Sequence, residues 1–241
     1  MYTKKFILSV CLALCMLFSI PSIFALNIST PVPINKIFTD FKFAHLISSY
    51  LKKSSIYEVV TQNELNSIEK IIYQGEKQDI ELISNIDGIQ YLNNLKYLYI
   101  INGKVNNIEP LANLINLETL SLPCSEISNI EPLLNLINLK QLDLSFNRIS
   151  DIESLSKLVN LHWINIQNNQ ISNVDALSKL KKLAILNLNN NQITKVRPLL
   201  KLKSLTSLCI SGNRISDAEI LSDSGGKTIL SINKKLLIWD Q

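Results

Sequence analysis

A strict repetition of apolar residues runs through the middle of the chain. Leucine stands at residues 95, 117, 139, 161, 183 and 205, at a constant step of 22. Counted from that leucine as position one, apolar residues return at positions four and six and alternate with mostly polar ones, which is typical of a short strand. Positions eleven, fourteen, seventeen and twenty are also apolar, and their spacing of three favours a short 3₁₀ turn over a second strand.

These units are not expected to fold one at a time. A single unit offers seven inward apolar side chains against the conformational entropy of 22 backbone residues. Only units that stack and share one core are therefore expected to be stable. The pattern predicts an α/β solenoid in which the short strands align into a parallel β-sheet and the turns occupy the opposite side.

Position nine of the unit is polar. It is asparagine in the last four units and Gly103 and Ser125 in the first two. An asparagine amide can bond backbone groups of a tight loop and of the neighbouring unit, and so satisfy groups that stacking buries. We expect a structural ladder of Asn147, Asn169, Asn191 and Asn213, with looser backbone at Gly103 and Ser125.

The segment before the repeats predicts a helical cap over the first edge of the core. Asp40 can cap a helix, and Thr61 with Glu64 has the signature of a capping box. The first helix is expected to bury one face, formed by Phe43, Leu46, Ile47, Tyr50 and Leu51. At the other end Leu230 and Ile232 keep the period, and Leu236 to Trp239 can close the stack.

Repeat and cap together resemble a known family. The repeat, complete apart from conservative swaps in residues 183–204, resembles the 22-residue class of leucine-rich repeat that includes the bacterial internalins. The sequences PINKIFTD at 33–40, VTQNEL at 60–65 and IDGIQYLNNL at 86–95 resemble the internalin N-terminal cap. The resemblance implies a leucine-rich repeat solenoid with a parallel β-sheet on the concave face, 3₁₀ or short helical turns on the convex face and a helical N-terminal cap.

The expected organisation has four parts. Residues 1–25 predict a secretory signal peptide, because Lys4 and Lys5 precede an apolar run that ends at Pro21. A membrane anchor is the alternative, but the run is shorter than the roughly 20 residues that span a bilayer. The helical cap covers 26–72 and the repeats cover 73–221, with a degenerate first unit at 73–94 and six clear repeats from 95. Residues 222–241 form the C-terminal capping segment.

Composition argues against several kinds of function. The two histidines, His45 and His162, leave little for a metal site or a general base, so no metal, cofactor or catalytic residue is expected. A net charge of +4 does not indicate nucleic-acid binding. A basic strip at position nineteen, formed by Lys157, Lys179 and Lys201, is either a solvated flank or a weak contact for anionic partners.

The side chains that point out of the sheet are the candidate binding residues. Because positions four and six point inward, positions three, five and seven face the concave surface. Exposed aromatic residues on such a face suit protein interfaces, although they could also simply cover the sheet. The candidate protein-binding residues are Tyr97, Tyr99, Gln141, Asp143, Phe146, Trp163, Asn165, Gln167, Ile185, Asn187 and Asn189.

The resemblance to internalins implies a secreted, monomeric protein, extracellular, periplasmic or at the cell surface, that binds a host or surface protein in adhesion, invasion or virulence. No stable membrane anchor is expected. Some secreted leucine-rich repeat proteins carry a catalytic domain, but cap, repeats and closing residues leave no room for one here. The alternative is an intracellular or periplasmic protein-binding scaffold of the same repeat length, similar to phosphatase regulators.

Overall fold

The computed structural model describes residues 26–76 and 81–217, and the backbone of two further strands at 229–232 and 235–237. The predicted signal peptide, residues 1–25, lies outside the described residues, as do Ala218 and Leu221 at the last expected core positions and most of the 222–241 segment. In the part of the chain that is described, no helix has the length and apolar character needed to cross a bilayer.

The N-terminal cap consists of short helices and one small antiparallel strand pair. The pair joins β1 (Val32–Pro33) to β2 (Val59–Val60), and the helices are α1 (Ile34–Ile37), α2 (Phe41–Tyr50) and α3 (Gln62–Asn66). Both predicted helix starts are confirmed. Asp40 Oδ1 accepts the Phe43 N–H at 3.0 Å, and Thr61 and Glu64 form the reciprocal capping box. Hydrogen bonds from Lys53 and the Thr61 backbone lower the pKa of Glu64 to about 2.

The predicted buried face of α2 is partly wrong. The helix buries Phe43, Ala44, Ile47 and Ser48, while Leu46 and Leu51 are half-buried and Tyr50 is exposed. The contact with the core is centred between Phe43 and Ile47, so the 3.6-residue period carries Tyr50 to the edge of this face. There its hydroxyl accepts the Ile72 N–H at 2.8 Å and satisfies a donor of the first strand of the main sheet.

That main sheet contains one short strand from each turn of the solenoid. Its strands are β3 (Lys70–Gln74), β4 (Tyr97–Ile101), β5 (Thr119–Ser121), β6 (Gln141–Asp143), β7 (Trp163–Asn165), β8 (Ile185–Asn187), β9 (Ser207–Cys209), β10 (Ile229–Ile232) and β11 (Lys235–Leu237). Strands β3 to β10 are parallel and lie in chain order, and β11 closes the sheet antiparallel to β10. From β4 onward the paired residues are 22 apart, as in Leu98 with Leu120 and Leu208 with Leu230. The predicted parallel solenoid is confirmed.

The first turn of the solenoid is longer than the others. Ile71 of β3 pairs with Leu98 of β4, a step of 27 residues. Ile83, Ile86, Ile89 and Leu92 still occupy the expected core positions, so the five extra residues lie between the strand and the convex half of this turn. The boundary drawn between residues 72 and 73 therefore falls inside β3. Strand β3 does not follow the step of 22, so that pattern does not reveal it.

The convex side carries short 3₁₀ helices, as predicted. They span Ile89–Tyr91, Glu109–Leu111, Glu131–Asn135, Glu153–Lys157, Asp175–Lys179 and Arg197–Lys201. The carbonyl-type oxygen of an Asn or Asp side chain accepts the first N–H of four of them, from Asn107, Asn129, Asp151 and Asn173. Between the two sides, the repeated apolar positions are buried; Leu205 and Ile215 of the last unit are only half-buried.

The position-nine asparagines bridge neighbouring units. Asn169 is buried; its Nδ2 donates to the Leu144 carbonyl at 2.9 Å, and its Oδ1 accepts the Ile149 N–H at 2.9 Å. Asn147, Asn191 and Asn213 make the same pair of contacts one unit apart. Ser125 is also buried, but no described group bonds its hydroxyl. The ladder therefore lacks its rungs at the first two units.

Two further regularities were not anticipated from the sequence. At position twenty-two, Asn116, Asn138 and Asn160 donate to a carbonyl of the preceding unit at 2.8–2.9 Å and form an outer ladder. At position eight the backbone is left-handed in every unit, with φ of 53° to 73°. The residues there are Asn102, Cys124, Phe146, Asn168, Asn190 and Gly212. Asn and Gly tolerate this conformation, and their recurrence at position eight in the sequence indicates a left-handed turn there.

Candidate functional site

The concave surface is formed by two rows of outward side chains in register across the strands. One row is Lys70, Tyr97, Thr119, Gln141, Trp163, Ile185 and Ser207, and the other is Ile72, Tyr99, Ser121, Asp143, Asn165, Asn187 and Cys209. Neighbouring strands lie about 4.8 Å apart, so Tyr97 and Trp163, three strands apart, are separated by about 14 Å. All strand residues in the candidate set lie in these two rows.

The candidate residues differ in how far they reach solvent. Gln141, Phe146 and Ile185 are exposed, and the other eight are half-buried. Sequence reasoning missed Lys70 and Ile72, which extend both rows toward the cap, because β3 does not follow the step of 22. The available signal was the β-branched and aromatic run Ile71–Tyr73 between the polar residues Lys70 and Gln74.

The polar side chains of the last units are tied to one another. Asn187 Nδ2 donates to Gln167 Oε1 at 3.1 Å, and Asn189 Oδ1 accepts the Ser211 N–H at 2.7 Å. Asn187 Oδ1 also accepts the Asn189 N–H at 3.1 Å. These amides are therefore held in fixed orientations, and this end of the concave face presents a preorganised polar surface.

The middle of the concave face has a hollow of about 280 Å³. Tyr99 and Trp163 stand on opposite sides of it, and Gln141 and Asp143 also line it. Its floor is made by Thr119 and Ser121, which are buried and small. The hollow exists because β5, with its short outward side chains, and β6, with Gln141 and Asp143, lie between the aromatic side chains of β4 and β7.

Asp143 is the acidic residue in this hollow. Its Oδ1 accepts the Ser145 N–H at 3.0 Å and the Ser145 hydroxyl at 2.7 Å, which fixes the carboxylate. Across the outward positions of β3 to β9 it is the sole acid, and Lys70 the sole base. None of the ion pairs formed within the described residues includes Asp143.

Phe146 lies at the rim of the same face, just after β6. Its side chain is 50% exposed, and its backbone has a φ of 57°. The Phe146 N–H donates to the Gln167 carbonyl at 2.9 Å, which holds the residue in this conformation. An exposed phenyl ring in a left-handed turn has no packing role that accounts for it.

The basic strip lies away from this face. Lys157, Lys179 and Lys201 are exposed and end their 3₁₀ helices. Charge is distributed unevenly along the solenoid: residues 81–154 hold nine acidic and four basic side chains, and residues 155–217 hold two acidic and nine basic ones. The net charges are thus −5 and +7.

The described residues contain no cluster of side chains suited to a metal ion. No three His, Cys, Asp or Glu side chains there are close enough to hold a metal ion. Cys124 and Cys209 are free thiols in different units. Within the described residues, the candidate site therefore consists of the two rows of outward side chains, the hollow and Phe146 at the rim.

Comparison with known proteins supports the resemblance. A model described as "Bacterial adhesion/invasion protein N terminal" (the internalin N-terminal domain) matches residues 24–66, and a leucine-rich repeat model matches residues 115–157, 159–201 and 183–223. Internalin C of Listeria monocytogenes is 31% identical over 74 residues, which are 31% of this chain and 23% of that protein.

Two solved internalins of Listeria monocytogenes resemble the fold. Internalin C2 is 30% identical with a TM-score of 0.68, and the match covers 86% of this chain and 100% of that one. Internalin inlF is 33% identical with a TM-score of 0.64, and the match covers 78% of this chain and 61% of that one. Cap, repeat and fold thus agree, and the chain belongs to the internalin family of leucine-rich repeat proteins.

Proposed function

We propose that this protein is secreted and binds a protein of a host cell or cell surface through its concave face, in adhesion, invasion or virulence. The observation that carries the proposal is the pair of outward aromatic side chains, Tyr99 and Trp163, that border one hollow in the sheet. Family membership supports the class of activity. The match of residues 24–66 to the N-terminal domain of bacterial adhesion and invasion proteins supports a role in adhesion or invasion.

The aromatic side chains are not needed for the core. The inward residues Leu98 and Ile100 of β4, Ile164 of β7 and Ile166 just after β7 are already fully buried. Tyr99 and Trp163 instead present large rings on a rigid scaffold, where a partner gains contact area at a small cost in rotamer entropy. The Trp163 indole N–H has no acceptor among the described residues and is available to a partner.

The experiment is a capture assay with the mature chain from residue 26. Wild-type and Trp163→Ala proteins are immobilised at equal density and exposed to host-cell membranes and lysate, and the retained proteins are identified. We expect a specific protein to be retained by the wild type and lost with Trp163→Ala. The free energy of unfolding of the variant, obtained from thermal melting, should stay within about 1 kcal/mol of that of the wild type, because the side chain lies outside the core.

A matched variant outside the two concave rows provides the control. Val159→Ala removes an exposed apolar side chain that belongs to neither concave row, and it should retain the same protein as the wild type. Equal loss with Val159→Ala and Trp163→Ala would point to non-specific adhesion and contradict the proposal.

N-terminal sequencing of protein from culture medium should find Leu26 first, whereas an intact leader inside the producing cell would favour the intracellular scaffold.

A further inference from the structure

We propose that the hollow between Tyr99 and Trp163 receives a basic side chain of the partner protein, arginine or lysine, which pairs with Asp143. This inference rests on the proposed function, since it names the chemistry that the concave face recognises. It follows from three features of the hollow: its fixed carboxylate, its aromatic side chains and the absence of a cation paired with that carboxylate among the described residues.

The Asp143 carboxylate needs a positive partner once a protein covers it. A protein that covers the concave face removes Asp143 from water, and a buried carboxylate without a positive partner is costly. Oδ1 already accepts two hydrogen bonds from Ser145, whereas Oδ2 accepts none within the described residues. The open oxygen therefore requires a donor from the partner.

Among the described residues, no cation is paired with Asp143. Lys70 is the sole basic residue at the outward positions of β3 to β9, and it lies on β3, three strands from Asp143 on β6. Three strand spacings are about 14 Å, beyond the reach of an ion pair. The nearby Lys140 is engaged with Glu118 at 2.6 Å. The compensating charge must come from outside.

The aromatic side chains Tyr99 and Trp163 on either side of the hollow also favour a cation. The faces of Trp and Tyr rings attract cations that lie within about 6 Å of the ring. Trp163 lies on β7, next to β6, and is two residues before Asn165, the residue that pairs with Asp143. A cation bound to the carboxylate therefore also lies beside the indole. Apart from Trp163, the residues that line the hollow belong to the segment 81–154, whose net charge of −5 favours the approach of a basic partner.

The test uses small probes and the protein's own tryptophan. In a Trp239→Phe background, Trp163 is the sole tryptophan of the mature chain. N-acetyl-arginine amide, N-acetyl-lysine amide and the neutral N-acetyl-citrulline amide are titrated at low salt, and the Trp163 indole N–H signal is followed by NMR. We expect the two cationic amides to shift this signal and to bind at least about fivefold more tightly than citrulline amide.

Asp143→Asn is the decisive variant, because it keeps the shape and can still accept from Ser145 while it removes the charge. It should weaken binding of the cationic amides by about fivefold or more, and Asp151→Asn, on the convex side, should not change it. Equal binding of citrulline amide, or unchanged binding by Asp143→Asn, overturns the inference. So does the absence of any shift with the cationic amides.

The capture assay separates this inference from the proposed function. Loss of the captured protein with both Trp163→Ala and Asp143→Asn supports both. Loss with Trp163→Ala alone leaves the proposed function intact and refutes the basic side chain in the hollow. Capture that is indifferent to both variants contradicts the proposed function itself, whatever the small probes show.

Discussion

Phe146 occupies a backbone conformation that its side chain disfavours. Four of the six units place Asn or Gly at this left-handed position, and only Cys124 and Phe146 depart from that choice. For other residues the left-handed conformation costs about 1–2 kcal/mol, since Cβ approaches the following carbonyl. The phenyl ring recovers only part of this through burial, because the residue is half exposed. Such strain at the rim of the proposed binding face favours a role in recognition.

Phe146→Asn is therefore expected to change stability and binding in opposite directions. The free energy of unfolding should rise by about 1 kcal/mol, because Asn tolerates this backbone, while capture of the partner should weaken. Chemical denaturation gives the first quantity and the capture assay gives the second.

Cys124→Asn is the matched control for Phe146→Asn. It relieves the same backbone strain at an exposed residue that is not among the candidate residues, so stability should rise while capture stays unchanged. A less stable Phe146→Asn protein would contradict the interpretation, because the ring would then contribute to packing.

At the scale of elements, the inner asparagine ladder joins each turn to the one before it. Asn147 accepts the N–H of Ile127 and donates to carbonyls of its own unit and the preceding one. Ser125 reaches none of these groups, and the Val105 N–H, which corresponds to that of Ile127, has no acceptor in the described part of the chain. The first turns are held together by fewer bonds than the later ones.

Ser125→Asn should complete this ladder. The new amide can accept from Val105 and donate to the Ile100 and Leu122 carbonyls, which should raise the free energy of unfolding by about 1 kcal/mol. Hydrogen exchange should show Val105 exchanging faster than Ile149 and Ile171 in the wild type, and slower in the variant.

Gly103→Asn, one unit earlier, is the control for Ser125→Asn. A Cβ at residue 103 would lie 2.8 Å from Ile100 Cγ2 and 3.2 Å from the Ile83 carbonyl, so this variant should be destabilised. Protected Val105 exchange in the wild type would show that another group already satisfies this amide.

The sequence predicted those elements that repeat at a constant step. Strands β4 to β9, the 3₁₀ turns and the caps at Asp40 and Thr61 could be assigned because each follows from local spacing and residue type. Strand β3 could not, since five extra residues break the step. The hollow could not either, because it depends on Thr119 and Ser121 being short while residues 22 or more positions away are large.

At the scale of the whole molecule, charge divides the solenoid into an acidic and a basic half. Residues 81–154 have a net charge of −5 and residues 155–217 one of +7, and Lys157, Lys179 and Lys201 lie in the basic half. The field of such a molecule orients a charged partner before contact, within the Debye length of about 8–10 Å at physiological salt.

Replacing Lys157, Lys179 and Lys201 with Gln should weaken association with polyanions. We expect the triple variant to elute from a heparin column at clearly lower salt than the wild type, because three exposed charges are lost from one strip. The control replaces the exposed Lys36, Lys52 and Lys104, which lie outside the basic half. Equal shifts for both variants would show that net charge alone matters and that the strip is only a solvated flank.

The separation of inward and outward positions in every strand has an evolutionary consequence. Substitutions in the two concave rows alter the proposed contact surface without disturbing the buried side chains, so recognition can diverge while the buried scaffold stays the same. Duplication of a 22-residue unit inserts one more strand in the existing register and lengthens the surface by about 4.8 Å. Specificity and size of the interface can thus change by independent genetic events.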